Sequence, residues 1–240
     1  EIFQTRADFY DEHATFPFEN FDLLKKKGYL SLTIPKEYGG DEISLYEFIL
    51  VQEKLSQGDA ATALSLGWHL GILMNLRDTK KWSEEKFTQM CEEIVTHKKL
   101  INSAATEPNS GSPARGGKPE TIAFLKGENW VINGKKIFTS LAPALDYFII
   151  PATISESGEV GDFLVPRNSK GISIEPTWNT LGMRATRSDD LILNSVEVDK
   201  TALVELRHIK KKPPVQGWLL HIPACYMGIA LAARNDAVTF

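Results

Sequence analysis

Apolar residues recur along the first hundred positions at spacings of three and four, the period of helices with one face turned inward. Phe18, Phe21 and Leu24 follow Pro17, a proline tolerated in a first turn, and Gly28 is a natural stop. Ser44-Leu45-Tyr46-Glu47 has the S-x-x-E form of a capping box, in which each side chain satisfies the other residue's orphan backbone donor. The helix it opens carries Leu45, Phe48, Ile49, Gln52 and Leu55 and ends near Gly58. Asp59 caps the next run, through Ala61, Leu64, Leu66, Trp68 and Ile72. Ser83, with Glu84 and Glu85, opens another, whose Phe87, Met90, Cys91, Ile94 and Val95 line one face.

After about Lys99 the period becomes extended. Thr121–Leu125, Trp130–Ile132, Tyr147–Ile150, Phe163–Val165 and Leu191–Val198 are short runs rich in β-branched and aromatic residues. Turn signals divide them, among them Asn133-Gly134, Ser157-Gly158 and Lys170-Gly171. This spacing predicts a small antiparallel sheet or barrel rather than βαβ units. A basic, proline-containing linker, Arg207 to Pro214, then leads into an Ala-rich helical pattern whose small residues Ala224, Gly228 and Ala232 suit close packing. The predicted class is α+β: helices, then strands, then a helix.

Composition changes this picture little. The 240 residues allow one large domain or two smaller ones at ~100–200 residues each. Hydrophobic residues make up 42% and charged residues 24%, which excludes a disordered tail, a collagen-like rod and a disulfide scaffold. Twenty-seven basic against 31 acidic residues leave no surplus pointing to nucleic acid. Cys91 and Cys225 stand alone, outside any metal or redox spacing, and there is no N-x-Ser/Thr acceptor. Leu219–Ala233, the longest apolar stretch, is interrupted by His221 and Pro223 and is too short for a membrane span. No signal-peptide pattern opens the chain. A reducing compartment is expected, the cytoplasm or, in a eukaryote, the mitochondrial matrix. The chain starts at Glu1 and stops at Phe240 inside a helical pattern, so part of a longer protein is expected.

Several chemical motifs are missing. There is no HExxH pair, GxSxG elbow or GxGxxG after a strand, and His13, His69, His97, His208 and His221 form no ligand spacing. Gly111–Lys118 fails as a phosphate loop because Ser112 and Pro119 stand where Gly and Ser/Thr are needed. Three segments carry more. Ala104–Ser112 (AATEPNSGS) is a small, hydroxyl-rich loop whose backbone can approach a phosphate or a flat heterocycle closely. Trp130–Ser140 is a hairpin arm ending in Phe138 and Ser140, which strand period sets on the same face as an aromatic wall beside a hydroxyl. Leu181–Ser188 precedes the last long strand.

Taken in order, these segments resemble the acyl-CoA dehydrogenase family of flavoproteins. The likeness is carried by Ile34–Gly40 (IPKEYGG), the T-E-P-x-x-G-S loop at Thr106–Ser112, the N-G-x-K-x-F arm at Asn133–Phe138 and the G-x-R-x-T-x-S stretch at Gly182–Ser188. It implies an N-terminal helical domain over 1–98, a middle β domain over 99–206, and from 207 to 240 a linker with the first helix of a C-terminal helical bundle. It also implies bound FAD. Thr106 would hydrogen-bond the polar edge of the flavin, with Ala105 beside it. Ser112 would lie near the FAD pyrophosphate and the bound CoA ester. Phe138, where the family usually has Trp, would pack on the ring, and Ser140, usually Thr, would contact it near N5. Thr139 competes for that place. Glu107 reads as a buried or capping carboxylate.

The activity implied is α,β-dehydrogenation of an acyl-CoA: a carboxylate takes the α-proton and the β-hydride passes to the flavin. An electron-transfer flavoprotein would accept the electrons, and a homo-oligomer (dimer or tetramer) is expected. The base is expected beyond Phe240, because Trp218-Leu219 occupies the place where some relatives carry Glu-Arg. Pro113 replaces the aspartate that usually follows G-S. Arg207, Lys210, Lys211 and Lys212 are a candidate contact for CoA phosphates or a solvated linker. A flavin monooxygenase or oxidase on the same fold is the alternative, and a non-catalytic acyl-ligand or partner-binding relative a distant third.

Overall fold

A computed structural model describes residues 1–111, 117–207 and 216–240. Five helices come first: α1 (Gln4–His13), α2 (Phe18–Lys26), α3 (Leu45–Ser56), α4 (Ala60–Thr79) and α5 (Glu84–His97). The caps read from the sequence are made. Glu47 N–H donates to Ser44 Oγ while Glu47 Oε2 accepts from Ser44 N–H, closing the capping box of α3. Asp59 and Ser83 accept from Ala61 and Lys86 N–H at the starts of α4 and α5. α1 follows from no cap in the sequence. Its last carbonyls, Asp11 and Glu12, and that of Ala14 beyond them receive Arg184 and Arg187 from the far end of the chain.

α4 is the axis of the helical unit, about 30 Å long at 1.5 Å per residue. It is apolar nearly all round, as a helix packed on every side must be. Leu66, Leu70, Leu73 and Met74 are buried on it, against Phe21, Leu30 and Phe48. Each such side chain stabilises by about 1.5–3 kcal/mol. His69 sits in the same core as a structural group: Nε2 donates to Leu30 O (3.0 Å) and Nδ1 accepts from Ile101 N–H (3.2 Å). Burial lowers its pKa to about 4, so it is neutral, and its two bonds tie the helices to the first strand.

The strands are β1 (Ile101–Ser103), β2 (Ile122–Lys126), β3 (Asn129–Thr139), β4 (Tyr147–Ile154), β5 (Val160–Pro166), β6 (Ile172–Glu175), β7 (Asp189–Asp199) and β8 (Leu203–Arg207). They form one sheet in the order β6-β7-β3-β2-β4-β5-β8, with β1 also on β4. The sheet is mixed rather than purely antiparallel, since β1 and β2 both pair parallel to β4. The crossovers that allow this leave no trace in strand period. β1, β6 and β8 are three to five residues long, too short for alternation to mark them. Arg207 accordingly ends a strand, paired with Asp162 (2.8 Å), rather than opening a linker; Lys210, Lys211 and Lys212 lie outside the described residues.

A short 3₁₀ turn (Gly217–Leu220) leads into α6 (His221–Thr239), which lies on α3 and α4. The small residues permit the contact: a Cβ on Gly228 would stand 2.3 Å from Glu53 O, and one on Gly67 of α4 would stand 2.5 Å from His221 Cδ2. Among the described residues no helix is long and apolar enough to cross a membrane, and no group of three or more metal-ligating side chains is assembled.

Candidate active site

Three segments remote in sequence meet at the C-terminal end of β3. The loop leaving β1 reaches it through Ile137 N–H, which donates to Thr106 O (2.9 Å). Asn102 Nδ2 donates to Ser140 O (3.0 Å), and Leu141 N–H to Thr186 O (3.1 Å). Ala105, Thr106, Phe138 and Ser140 are thereby brought together at the end of this interior strand. Ser112 lies outside the described residues.

Phe138 and Ser140 are not same-face neighbours of a regular strand. Lys136 pairs with Leu191 but Thr139 with Asp189, so β3 carries one residue more than β7 over this stretch. That extra residue makes a bulge. Phe138 takes φ 58°, a left-handed conformation unusual for a bulky side chain. The alternation breaks there: Phe138 is 59% exposed, while Thr139 and Ser140 are buried. Leu141, Met183 and Arg187, all on these converging segments, also have left-handed backbones. Such strain costs of order 1–3 kcal/mol per residue and gathers where a site needs it.

The exposed Phe138 ring meets Trp178 edge to face, centroids 5.9 Å apart. Trp178 is held by Nε1–H to Met183 O (3.0 Å) and by its backbone N–H to Asp189 Oδ1 (2.9 Å). Beside this wall lies a row of buried hydroxyls. Ser140 Oγ is 2.9 Å from Ser188 Oγ, and Ser188 Oγ is 2.8 Å from Thr186 Oγ1. Thr139 Oγ1 is buried with no hydrogen-bond partner. An aromatic wall, an adjoining hydroxyl row and a half-buried small-residue loop fit a flat ring with polar edges. The unpartnered Thr139 hydroxyl is consistent with polar capacity at this end.

The carboxylates at this end are engaged. Arg187 grips Asp189 through Nε (3.0 Å) and Nη2 (2.7 Å). Glu107 is buried, as expected, and receives Lys136 Nζ (2.5 Å), Thr121 N–H (3.0 Å), Thr121 Oγ1–H (2.6 Å), Ser110 Oγ–H (2.7 Å) and Glu120 N–H. Burial alone would raise its pKa, but Lys136 and these donors outweigh it and hold the carboxyl down at about 2. Lys136 is fully buried and also donates to Pro151 O (2.7 Å). Glu107 and Gly111 further exchange backbone bonds of 3.1 Å, closing the loop after Thr106.

Sequence reasoning placed Thr106 and Ser140 together but gave no role to Asn102, Lys136, Trp178, Thr186 or Ser188. The N-G-x-K and G-x-R-x-T-x-S stretches contained Lys136, Thr186 and Ser188. Only the hydroxyls' spacing of two hinted that Thr186 and Ser188 act as a pair.

A helical unit packed on a sheet, with strained, hydroxyl-lined segments meeting at the end of β3, is an arrangement that the comparisons with known proteins place in a family. Family profiles agree: "Acyl-CoA dehydrogenase, N-terminal domain" matches residues 1–88, and "Acyl-CoA dehydrogenase, middle domain" matches 102–196. The chain belongs to the acyl-CoA dehydrogenase family. It is 46% identical over 238 residues to "Putative acyl-CoA dehydrogenase YdbM" of Bacillus subtilis (strain 168), covering 99% of this chain and 62% of that protein. Butyryl-CoA dehydrogenase from Megasphaera elsdenii superposes with TM-score 0.86 at 22% identity, over 100% of this chain and 64% of that one. The FMN-bound dibenzothiophene monooxygenase TdsC of Paenibacillus sp. A11-2 superposes with TM-score 0.85 at 22% identity, over 99% and 62%. These two likenesses speak for the fold. The chain spans under two thirds of each of these relatives.

Proposed function

We propose that this chain is the flavin-binding part of an oxidoreductase whose flavin reacts with oxygen, a flavin-dependent monooxygenase or oxidase. The observation that carries the flavin part of this reading is the open, neutral end of β3. Among the described residues its free faces are Phe138, Trp178 and a row of hydroxyls, while Glu107 and Asp189 are bound to Lys136 and Arg187. The base that a dehydrogenase needs for the α-proton is expected beyond Phe240, so these residues serve either chemistry in the same way, by seating the ring. The oxygen part rests on the likeness to TdsC, an FMN-bound monooxygenase of the same fold. The flavin, when bound, supplies the two-electron chemistry. The chain's part is to seat its ring: Phe138 and Trp178 form the wall, Ser140 meets the polar edge, and Thr106 and Ala105 close the other side. FMN, as in the similar TdsC structure, or FAD, as the motifs imply, would fill the seat.

Dehydrogenation of an acyl-CoA is the second reading, favoured by the name of the 46% identical relative; acyl-CoA and an electron-transfer flavoprotein would then be its partners. One experiment separates the two. The intact protein, loaded with FMN or FAD, is mixed without oxygen with a panel of saturated acyl-CoAs. An unchanged flavin spectrum, together with rapid oxygen uptake by the separately reduced protein, is expected. Bleaching by one acyl-CoA overturns the oxygen reading and establishes the dehydrogenase.

A further inference from the structure

α1 is the helix least embedded in the fold. Tyr10 is its one buried residue, against three or more in every other helix. That side chain packs apart from the main core, with Ala61, Ala185 and Met183. The polar bonds of α1 run two ways. Toward the helical unit, Arg6 Nη1 donates to Asn20 Oδ1 (3.1 Å), Arg6 Nη2 meets Glu19 Oε2 (3.1 Å), and Tyr10 Oη–H donates to Glu19 Oε1 (2.5 Å). Asn20 in turn donates to Asp59 (3.2 Å) and Thr62 (3.0 Å) at the start of α4. Toward the sheet, Arg184 Nε donates to Asp11 O (2.6 Å) and Arg187 Nη1 to Ala14 O (3.0 Å). Both cations stand where the carbonyls at a helix C-terminus gather negative charge.

The segment that receives α1, residues 178–189, does not hold its shape by local preference. Met183 and Arg187 have φ of 56° and 44°, which persist only where the surroundings over-determine them. Arg187 also grips Asp189, and Asp189 Oδ1 accepts the Trp178 backbone N–H (2.9 Å), so the tie from α1 runs on to the aromatic wall. We propose that α1 is a strap: docked between α2 and residues 178–189, it sets the conformation of that segment and with it the Trp178 side of the wall. With one buried side chain to hold it, α1 opens at a lower free energy than the core, and the segment opens with it. Arg184 and Arg187 carry the tie and are positioning residues. The effect on ligand binding rests on the flavin reading above; the tie between strap and segment does not.

Hydrogen exchange of the intact protein, read by mass spectrometry, tests the strap. Arg6→Met loosens α1 from the α2 side alone, because among the described residues the Arg6 side chain bonds to Asn20 and Glu19. Exchange is expected to quicken about tenfold both in residues 4–14 and in 178–189, with α4 and β4 unchanged. Glu19→Ala, which frees Tyr10 and Arg6 from the other side of the same contact, is expected to do the same. Unchanged exchange in 178–189 in either variant overturns the inference, and so does a uniform quickening along the whole chain. Bound FMN or FAD is expected to slow exchange in 4–14 by about threefold, since coupling between two sites is reciprocal. A flavin that binds without slowing it overturns the tie to the site. Absence of binding by both flavins overturns the flavin reading alone, and the exchange of the two variants then decides the strap.

Discussion

Two buried polar clusters hang from β3 four residues apart, and they are built in opposite ways. Around Lys136 the network is charged and closed: Glu107 collects five donors, and the ammonium is shared between Glu107 and Pro151 O. Around Ser140 the network is neutral and open, with a hydroxyl row that ends at a serine on the rim and an unpartnered Thr139 hydroxyl beside it. A closed network holds a backbone in place and has nothing left for a ligand. An open one retains hydrogen-bonding capacity that a ligand could use. The first cluster is the clamp that sets the Thr106 loop against β3; the second is the seat.

The largest expected effect falls on the clamp. Lys136→Met leaves Glu107 buried without its cation and should cost about 3–5 kcal/mol in urea denaturation. Adding Glu107→Leu should return a large part of that loss, because removing both charges costs less than stranding one. A double variant no more stable than Lys136→Met would show that the pair is not coupled.

The two clusters should also part company in acid. Glu107 titrates near 4.5 when unfolded and near 2 when folded. Its stabilisation is therefore complete above about pH 4.5 and lost as the pH falls toward 2. Melting temperatures of the wild type and of Ser188→Ala should decline in parallel across that window, since no hydroxyl titrates there. Lys136→Met/Glu107→Leu should decline less steeply. His69 and His221, each lowered by burial to about 4 from 6.5, are common to all three and set the loss that begins near pH 6.5.

Smaller in stability, but not in binding, is the wall. Phe138→Ala removes an exposed ring and should change stability by no more than ~0.5 kcal/mol. Flavin affinity should fall about tenfold, the loss of one aromatic contact of roughly 1–1.5 kcal/mol. A melt shifted as far as that of Lys136→Met would make Phe138 scaffolding rather than wall.

The same contrast explains what was legible in the sequence. α3, α4 and α5 were readable because their signals are local: Ser44, Asp59 and Ser83 cap donors two or three residues away. The long strands were readable as runs rich in β-branched and aromatic residues divided by turn signals. The site was half readable. Thr106 and Ser140 stood out within their segments, but what joins them is a bulge that turns Phe138 outward. No local rule marks an extra residue that only its partner strand reveals. Ser188 and Thr186 join the hydroxyl row through a neighbour 48 positions away from Ser188, and the parallel pairing of β1 and β2 on β4 is likewise a property of chain tracing.

The central claim is that the open hydroxyl end of β3 seats a flavin. Absorbance titration of the intact protein with FMN and with FAD, wild type beside Phe138→Ala, tests it directly. The wild type should perturb the flavin spectrum and saturate at one flavin per chain, with Phe138→Ala binding about tenfold more weakly. A wild type that binds neither flavin, or a Phe138→Ala variant with the same affinity as the wild type, would contradict it.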